Sequence, residues 1–189
     1  MKKIILASTS PRRQELLEGI GLIFETMSPD FDENIIGLTF SYAAIEEIAL
    51  NKARSVFNNT EEPALIISAD TVVVVDNDVL GKPSDSKAAF AMLKRLNNNT
   101  HKVVTSIALM DTETKMEKIE STTSFVTFNN LSDETLISYI DNFSPLDKAG
   151  AYGIQELPDG FIQKVEGEYD NIVGLPTKTL IKMMTSVLN

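Results

Sequence analysis

Short apolar runs alternate with helical segments along this chain, and no other feature narrows its fold as much. Residues 3–8 (KIILAS) precede a helix start at Ser10-Pro11, and ALIIS (64–68) follows a helical stretch over 41–57. Nearly continuous apolar runs are typical of strands buried on both faces of a sheet. Strands that alternate with helices indicate an α/β fold in which helices cover the sheet.

Hairpins are predicted as well as crossover helices. VVVV (72–75) followed by Asp76-Asn77-Asp78 predicts one hairpin, and residues 101–128 predict two long strands joined at DTET. The other predicted elements are a strand at 22–28, helices over 85–97, from Ser132 and from Pro176, and a loop at 147–155 that leads into a strand. We therefore predict one α/β domain over 1–189, with a mixed central sheet and flanking helices.

Composition excludes several classes of protein. A chain of 189 residues, 43% of them hydrophobic, can bury a substantial core without disulfides. Its formal net charge of −10 argues against general binding to nucleic-acid polymers or to anionic membranes. The chain has no cysteine and a single histidine, which excludes thiolate catalysis and zinc sites built from Cys or several His. A bound metal would need oxygen ligands, which suits Mg²⁺ or Mn²⁺.

The N-terminal residues predict no targeting segment. MKK precedes only four apolar residues, too few for the core of a signal peptide, and no apolar run approaches the length of a membrane span. We therefore expect a cytoplasmic protein.

STSPRR (8–13) lies between a buried strand and the start of a helix. Unpaired amides and the helix dipole favour an anion at such a turn. The same dipole disfavours Arg12 and Arg13 in the first turn, so the two arginines need a reason to be there. Two explanations stay open: a phosphate site, and an ordinary helix cap with two solvated arginines.

Two further charged residues follow strands. Asp70 in IISADT is predicted at the carboxyl end of an apolar strand, where ligands bind in open α/β sheets. A carboxylate there can bind a cation or take a proton from water, or it can simply cap the strand end. Lys82 in GKP is either aimed at an anion or an ordinary turn lysine.

Lys52 falls on the stripe of the 41–57 helix that should face the core, seven residues after Ile45 and four after Ile48. A lysine on that face must extend its amine to the solvent, pair with a carboxylate, or meet a ligand.

The acidic loop PDFDEN (29–34) supplies Asp30, Asp32, Glu33 and Asn34. Most such loops are merely solvated, but one carboxylate meeting Asp70 across a cleft would form a divalent-metal site. His101 is expected to begin a strand and to satisfy a backbone group. The candidate arginines, lysines and carboxylates together indicate phosphoryl hydrolysis by metal-activated water.

Eight motifs occur in a fixed order: SPRR (10–13), Glu33, Lys52, ADT (69–71), GKP (81–83), HKVVT (101–105), DKAGAYGIQ (147–155) and NIVGLP (171–176). Over essentially the whole chain this set resembles the Maf family of nucleotide pyrophosphatases. The resemblance implies two lobes around a deep cleft, similar to the inosine triphosphate pyrophosphatases, and a plausible homodimer. It also implies hydrolysis of a nucleoside triphosphate between the α and β phosphates, with a divalent cation, Mg²⁺ or Mn²⁺.

The matching motifs also imply catalytic roles. By this resemblance Asp70 is the general base, and Glu33 is the partner carboxylate that helps Asp70 to hold the metal. Lys52 and Lys82 would neutralise charge on the triphosphate and on the leaving pyrophosphate.

Other positions would bind and select the nucleotide. The resemblance implies that Ser8 and Arg13 hold the phosphates, and that Arg12, Thr71 and Gln155 determine specificity. These three are similar to the branch that acts on dTTP, UTP and modified pyrimidines, whereas a branch acting on 7-methyl-GTP has tryptophan after the proline and SDQ in place of ADT. A non-catalytic nucleotide-binding regulator of cell division and a phosphatase that releases orthophosphate stay as alternatives.

Overall fold

In the computed structural model of the protein, residues 2–31 and 39–188 are described. The strands are β1 (Lys3–Leu6), β2 (Glu25–Thr26), β3 (Ala64–Val75), β4 (Asp78–Leu80), β5 (Thr100–Asp111), β6 (Glu117–Phe128) and β7 (Ile162–Glu166). They form one sheet in the order β2-β1-β3-β5-β6-β7, with β4 beside β3. β1 runs parallel to β2 and β3, and the other pairs are antiparallel, so the predicted mixed sheet is confirmed.

The helices are α1 (Pro11–Gly19), α2 (Tyr42–Phe57), α3 (Ser86–Leu96), α4 (Asp133–Phe143), α5 (Tyr169–Val173) and α6 (Thr177–Leu188). All the predicted helices are present, and Ser132 caps α4 by accepting a hydrogen bond of 3.3 Å from the amide of Thr135. No helix within the described ranges is long and apolar enough to cross a membrane.

Helices cover both faces of the sheet because apolar side chains alternate between the faces of buried strands. On one face Ile5 and Ile66 pack with Ala49 of α2. On the other face Leu6 and Ile67 pack with residues of α1 and α6. The same two strands therefore supply both layers of the core.

The predicted hairpin is formed by β3 and β4. Asp76 and Asn77 both have positive φ, 50° and 68°, as a two-residue type I′ turn requires. Asn and Asp adopt this conformation more readily than other non-glycine residues, which explains why the DND sequence indicated the turn.

Three predictions differ from the structure. The strand expected at 22–28 is only Glu25–Thr26, which pairs with Ile5 and Leu6 of β1, and the preceding Ile23 is exposed and lies outside the sheet. Residues 145–156 form single-turn 3-10 helices, Pro145–Asp147, Ala149–Ala151 and Ile154–Glu156, where a loop leading directly into a strand was expected. The five-residue helix α5 was not predicted, since so short a segment carries no full helical period.

The sheet has a gap beside β3, and this gap positions the site. β1 pairs with β3 only as far as Ile67, and β4 pairs with it from Val73 onward. Among the described strands nothing flanks the stretch between them on that side, while β5 pairs continuously on the other side. Asp70 lies in this stretch, so its predicted place at a strand end was wrong. β3 continues past Asp70 because it stays hydrogen-bonded to β5, and only the neighbouring strand β1 ends before it.

Candidate active site

A cavity of about 340 Å³ lies at this gap. Such a volume is within the range of small-molecule sites. Every predicted site residue within the described ranges lines it, namely Ser8, Arg12, Arg13, Lys52, Asp70, Thr71, Lys82 and Gln155. The structure therefore brings together residues from five separate parts of the sequence.

Glu33 lies outside the described residues, as do Asp32 and Asn34 of the acidic loop. The predicted roles of Glu33 in catalysis and in metal binding stay predictions. Asp30 is described and exposed, and it is not among the residues that line the cavity.

Lys52 and Asp70 form a buried ion pair at one side of the cavity. The Lys52 Nζ atom donates to Asp70 Oδ1 at 2.6 Å, and each side chain is 4% exposed. Of the three outcomes predicted for a lysine on the core-facing stripe, pairing with a carboxylate is thus confirmed. Because taking two charges out of water costs about as much as their attraction returns, the pair is better explained by chemistry than by stability.

The second carboxylate oxygen of Asp70 is also buried, and Oδ2 has no hydrogen-bond partner among the described residues. Burying such an oxygen without a partner is unfavourable, and hard divalent cations prefer carboxylate oxygens. Asp70 therefore fits the role of a metal ligand. Within the described ranges no group of three or more His, Cys, Asp or Glu could hold a metal, so other ligands would have to come from elsewhere, including the substrate.

STSPRR does not form an ordinary cap. Ser10 occupies the N-cap position of α1 but makes no side-chain capping hydrogen bond, and the first turn contains no acidic residue. The Ser8 hydroxyl instead accepts from the Ser10 amide at 3.2 Å. The positive end of the α1 dipole therefore lies at the cavity without a carboxylate of its own first turn, as an anion site requires.

Arg13 is not a solvated arginine. Its Nε donates to the carbonyl of Gly174 at 2.9 Å, Nη1 donates to Ser8 Oγ at 3.3 Å, and Nη2 donates to Thr71 Oγ1 at 3.1 Å. These bonds join the strand–helix turn to β3 and to the residue that follows α5. They fix the guanidinium against the wall of the cavity.

Lys82 also lines the cavity and is exposed. Among the described residues it makes no ion pair, so its amine is available to an anion.

Gly150 packs closely against Val73 of β3 and against the residue that precedes Lys82. Its amide donates a hydrogen bond of 3.0 Å to the carbonyl of Gly81. A Cβ on Gly150 would lie 2.9 Å from the methyl groups of Val73, and its φ is +68°, so only glycine fits there.

A charged cluster close in sequence to the exposed Gln155 also lines the cavity. Lys148 is buried, and its Nζ pairs with Asp147 at 2.9 Å and with Glu156 at 3.1 Å. Arg12 Nη1 is 3.8 Å from Asp147. Burial opposes ionisation of Asp147, but the hydrogen bond and charge of Lys148 outweigh it and lower the pKa of that carboxyl. Lys148 was missed from the sequence, although a lysine among small residues in DKAGAYG could have indicated it.

The cavity has a polar half and an apolar half. The arginines, lysines and Asp70 form the first, and the second is formed by Val73, Val103, Ala149, Tyr152, Ile154, Ile172 and Val173. A nucleotide has the same division, because its phosphates are anionic and its base is a flat ring that stacks on apolar and aromatic groups.

His101 lies behind the apolar half. Its Nε2 is 2.6 Å from the Tyr152 hydroxyl, so the expected backbone partner was wrong. Residues 147–156 pass over the start of β5, which places Tyr152 nearer to the ring than any backbone group. Burial lowers the pKa of His101 to about 4 and raises the pKa of the Tyr152 hydroxyl above its ordinary range.

The chain is similar in sequence to proteins that are named as pyrophosphatases. The chain is 46% identical over 176 residues to a dTTP/UTP pyrophosphatase of Alkaliphilus oremlandii, with 93% of this chain and 91% of the relative covered. It is 43% identical over 185 residues to a dTTP/UTP pyrophosphatase of Ruminiclostridium cellulolyticum, with 97% and 95% covered.

Solved structures are similar in fold. A HAM1 protein from Coxiella burnetii matches with a TM-score of 0.51 at 18% identity, covering 100% of this chain and 99% of that one. The Staphylococcus aureus Ham1 protein matches with a TM-score of 0.50 at 17% identity, covering 99% and 98%. These matches confirm the expected Ham1-type α/β fold. The sequence model of the Maf-like protein family matches residues 3–187, and the chain belongs to that family.

Proposed function

We propose that this protein is a nucleoside triphosphate pyrophosphatase that hydrolyses dTTP and UTP to the monophosphate and pyrophosphate. The observation that carries the proposal is the buried Lys52–Asp70 pair, whose second carboxylate oxygen has no partner, in a cavity lined by Arg12, Arg13 and Lys82. Relatives above 40% identity that carry the name dTTP/UTP pyrophosphatase support the same activity.

The polar half of the cavity would bind the triphosphate. The first turn of α1 and the Ser8 hydroxyl offer donors, and Lys82, which also lines the cavity, offers a positive charge. Holding the phosphates in this way would orient the α–β anhydride bond against Asp70, and orientation of this kind removes several kcal/mol from a barrier.

Asp70 would act as the base. Its Oδ1 accepts the hydrogen bond from Lys52 at 2.6 Å, which holds the carboxylate in place at the cavity. A water oxygen bonds to the α-phosphorus, its proton moves to Asp70, and the bond to the bridging oxygen breaks so that pyrophosphate leaves with the electron pair. Lys52 and Lys82 would offset the negative charge that develops.

Asp70 and Glu33 would hold a divalent cation, Mg²⁺ or Mn²⁺. When bound, such an ion neutralises phosphate charge and lowers the pKa of coordinated water. The unpartnered Oδ2 of Asp70 supports this assignment.

The apolar half of the cavity would receive the base. Thr71 lies between Asp70 and Val73 on β3, and Arg12 and Gln155 line the same cavity. We infer that these three residues select the pyrimidine.

Incubation with UTP, dTTP, ATP or 7-methyl-GTP and Mn²⁺, with pyrophosphate and orthophosphate assayed separately, tests the proposal. Pyrophosphate with UMP or dTMP, lost on chelation by EDTA and restored by added Mn²⁺, is expected. Orthophosphate as the first product would indicate a phosphatase instead, and nucleotide binding without turnover would indicate a regulator. Faster hydrolysis of 7-methyl-GTP than of UTP would contradict the assigned specificity.

A further inference from the structure

A hydrogen-bonded network leads from Arg13 at the cavity into the interior of the protein. Thr71 and Thr105 lie directly opposite each other on β3 and β5, and their Oγ1 atoms are 2.9 Å apart. Thr105, which is fully buried, also donates to the carbonyl of Asn171 at 3.0 Å. The network therefore links Arg13, Thr71, Thr105 and the Asn171 carbonyl, in that order.

The Thr105 hydroxyl donates its proton to the carbonyl of Asn171. Asn171 lies in α5, whose C-terminal amides from Gly174 and Leu175 both donate to Asp170, and Pro176 has no amide proton. Among the described residues the Thr105 hydroxyl is thus the donor that reaches the Asn171 carbonyl. Because a hydroxyl has a single proton, Thr105 can only accept from Thr71.

The direction of the Thr71 hydroxyl follows. Its oxygen accepts from Arg13 Nη2 at 3.1 Å, and its proton goes to Thr105 at 2.9 Å or to the Gly174 carbonyl at 3.4 Å. Both acceptors belong to the protein. The hydroxyl keeps one lone pair for the cavity and no proton.

Asn171 anchors the inner end of this network. Asn171 is fully buried, and its Nδ2 donates to the Val103 carbonyl at 2.9 Å and to Ser124 Oγ at 3.0 Å. These two hydrogen bonds hold the Asn171 side chain in one orientation. The acceptor for the Thr105 proton is therefore fixed by β5 and β6.

Thr71 also lies where the choice of nucleotide can be made. It has the same sheet face as Val73, two residues further along β3, and both line the cavity at the boundary of its polar and apolar halves. A nucleoside placed in the apolar half brings its base or its sugar to this boundary.

We propose that Thr105 is a positioning residue that makes Thr71 a hydrogen-bond acceptor only, so that the group of the nucleotide that meets Thr71 is an N–H or O–H donor. The proposal rests on the proposed function and adds which kind of hydrogen-bonding group on the nucleotide Thr71 recognises. UTP and dTTP share two such donors at the nucleoside, the N3–H of the base and the 3′-hydroxyl of the sugar.

A double-mutant cycle tests the positioning role. Thr71→Val and Thr105→Val each keep the side-chain shape and remove a hydroxyl, and each is expected to lower kcat/KM for UTP about tenfold, the usual worth of one neutral hydrogen bond. The double variant is expected to be no worse than Thr71→Val, because Thr105 acts only through Thr71. Thr105→Ser, which keeps the hydroxyl, is expected to restore activity to within about threefold of wild type.

Thr100→Val is the matched control, since it removes one partner of the Thr100–Thr127 hydroxyl pair, 2.8 Å, which joins β5 to β6 and does not line the cavity. It is expected to leave kcat/KM near the wild-type value. Effects of Thr71→Val and Thr105→Val that multiply in the double variant would overturn the positioning role, as would a Thr105→Ser variant as slow as Thr105→Val.

Two analogues separate the sources of the donor. N3-methyl-UTP lacks the base donor and 3′-deoxy-UTP lacks the sugar donor. The preference for UTP over one of them is expected to disappear in Thr71→Val, and because valine has the shape of threonine, relief of a steric clash does not explain that result. Unchanged preferences for both analogues would overturn the proposal.

Binding of UMP, N3-methyl-UMP and 3′-deoxy-UMP by calorimetry reads the same cycle without turnover. If the protein hydrolyses no nucleotide, the proposed activity fails, and these affinities still decide whether Thr105 acts through Thr71.

Discussion

Replacing Lys52 by methionine would leave Asp70 as a buried charge without its 2.6 Å partner. Both side chains are 4% exposed, so bulk water compensates poorly for the lost amine. Removing one member of a buried pair typically costs about 3–5 kcal/mol, a large part of the roughly 5–15 kcal/mol that stabilises a domain. For a chain of 189 residues that loss corresponds to a fall in Tm of roughly 6–20 °C.

Urea unfolding at pH 7 measures the effect, and the chain offers a matched control. Lys94 and Asp133 form a pair of nearly the same length, 2.7 Å, with side chains 45% and 56% exposed. Lys94→Met is expected to cost less than about 1 kcal/mol. Lys52→Met combined with Asp70→Asn removes both charges and is expected to recover much of the loss. If Lys52→Met costs no more than Lys94→Met, burial does not make this pair special and the reasoning is refuted.

Three further predictions concern His101, Gly150 and the two arginines. Burial lowers the pKa of His101 to about 4 from 6.5, so between these values the unfolded chain binds more protons and this residue makes stability fall by roughly 3 kcal/mol as the pH drops from 7 to 4. Urea unfolding at both pH values should therefore show a larger fall in wild type than in His101→Gln. Gly150→Ala should cost about 1–3 kcal/mol more than Gly160→Ala, since both have positive φ but only Gly150 has a neighbour, Val73, within 4 Å of the added Cβ. Arg13→Gln should lower turnover of every nucleotide, whereas Arg12→Gln should mainly change which nucleotide is preferred, as kcat/KM values over a panel of triphosphates would show.

Each of these has a contradicting outcome. Equal pH dependence in His101→Gln and wild type would assign the effect to other groups. Equal costs at Gly150 and Gly160 would mean that Val73 moves aside without penalty. A variant of Arg12 that loses activity uniformly would make that residue a phosphate ligand.

Local sequence patterns predicted the elements of the fold well. The type I′ turn at Asp76-Asn77, the Ser132 cap and the apolar stripe of α2 each depend on a few neighbouring residues, so they can be identified without tertiary information. The place of Lys52 on that stripe left three outcomes open, and the structure shows the pairing with a carboxylate.

Positions that depend on strand register could not be predicted. Asp70 was placed at a strand end because its charge interrupts an apolar run, whereas the lengths of β1 and β4 create the gap around it. Thr105 faces Thr71 only through the antiparallel register of β3 and β5, which no local pattern reports. Lys148 was missed for a similar reason, since its partner Glu156 is brought to it by three consecutive short turns.

The most direct test of the proposed activity compares wild type with Asp70→Asn in UTP and Mn²⁺. Asp70→Asn is nearly isosteric and keeps an oxygen within reach of Lys52, so UTP binding measured by calorimetry is expected to persist. Release of pyrophosphate is expected to fall by about 10²–10⁴, the usual worth of a positioned base. Pyrophosphate release near the wild-type rate, with UTP still bound, would contradict the account.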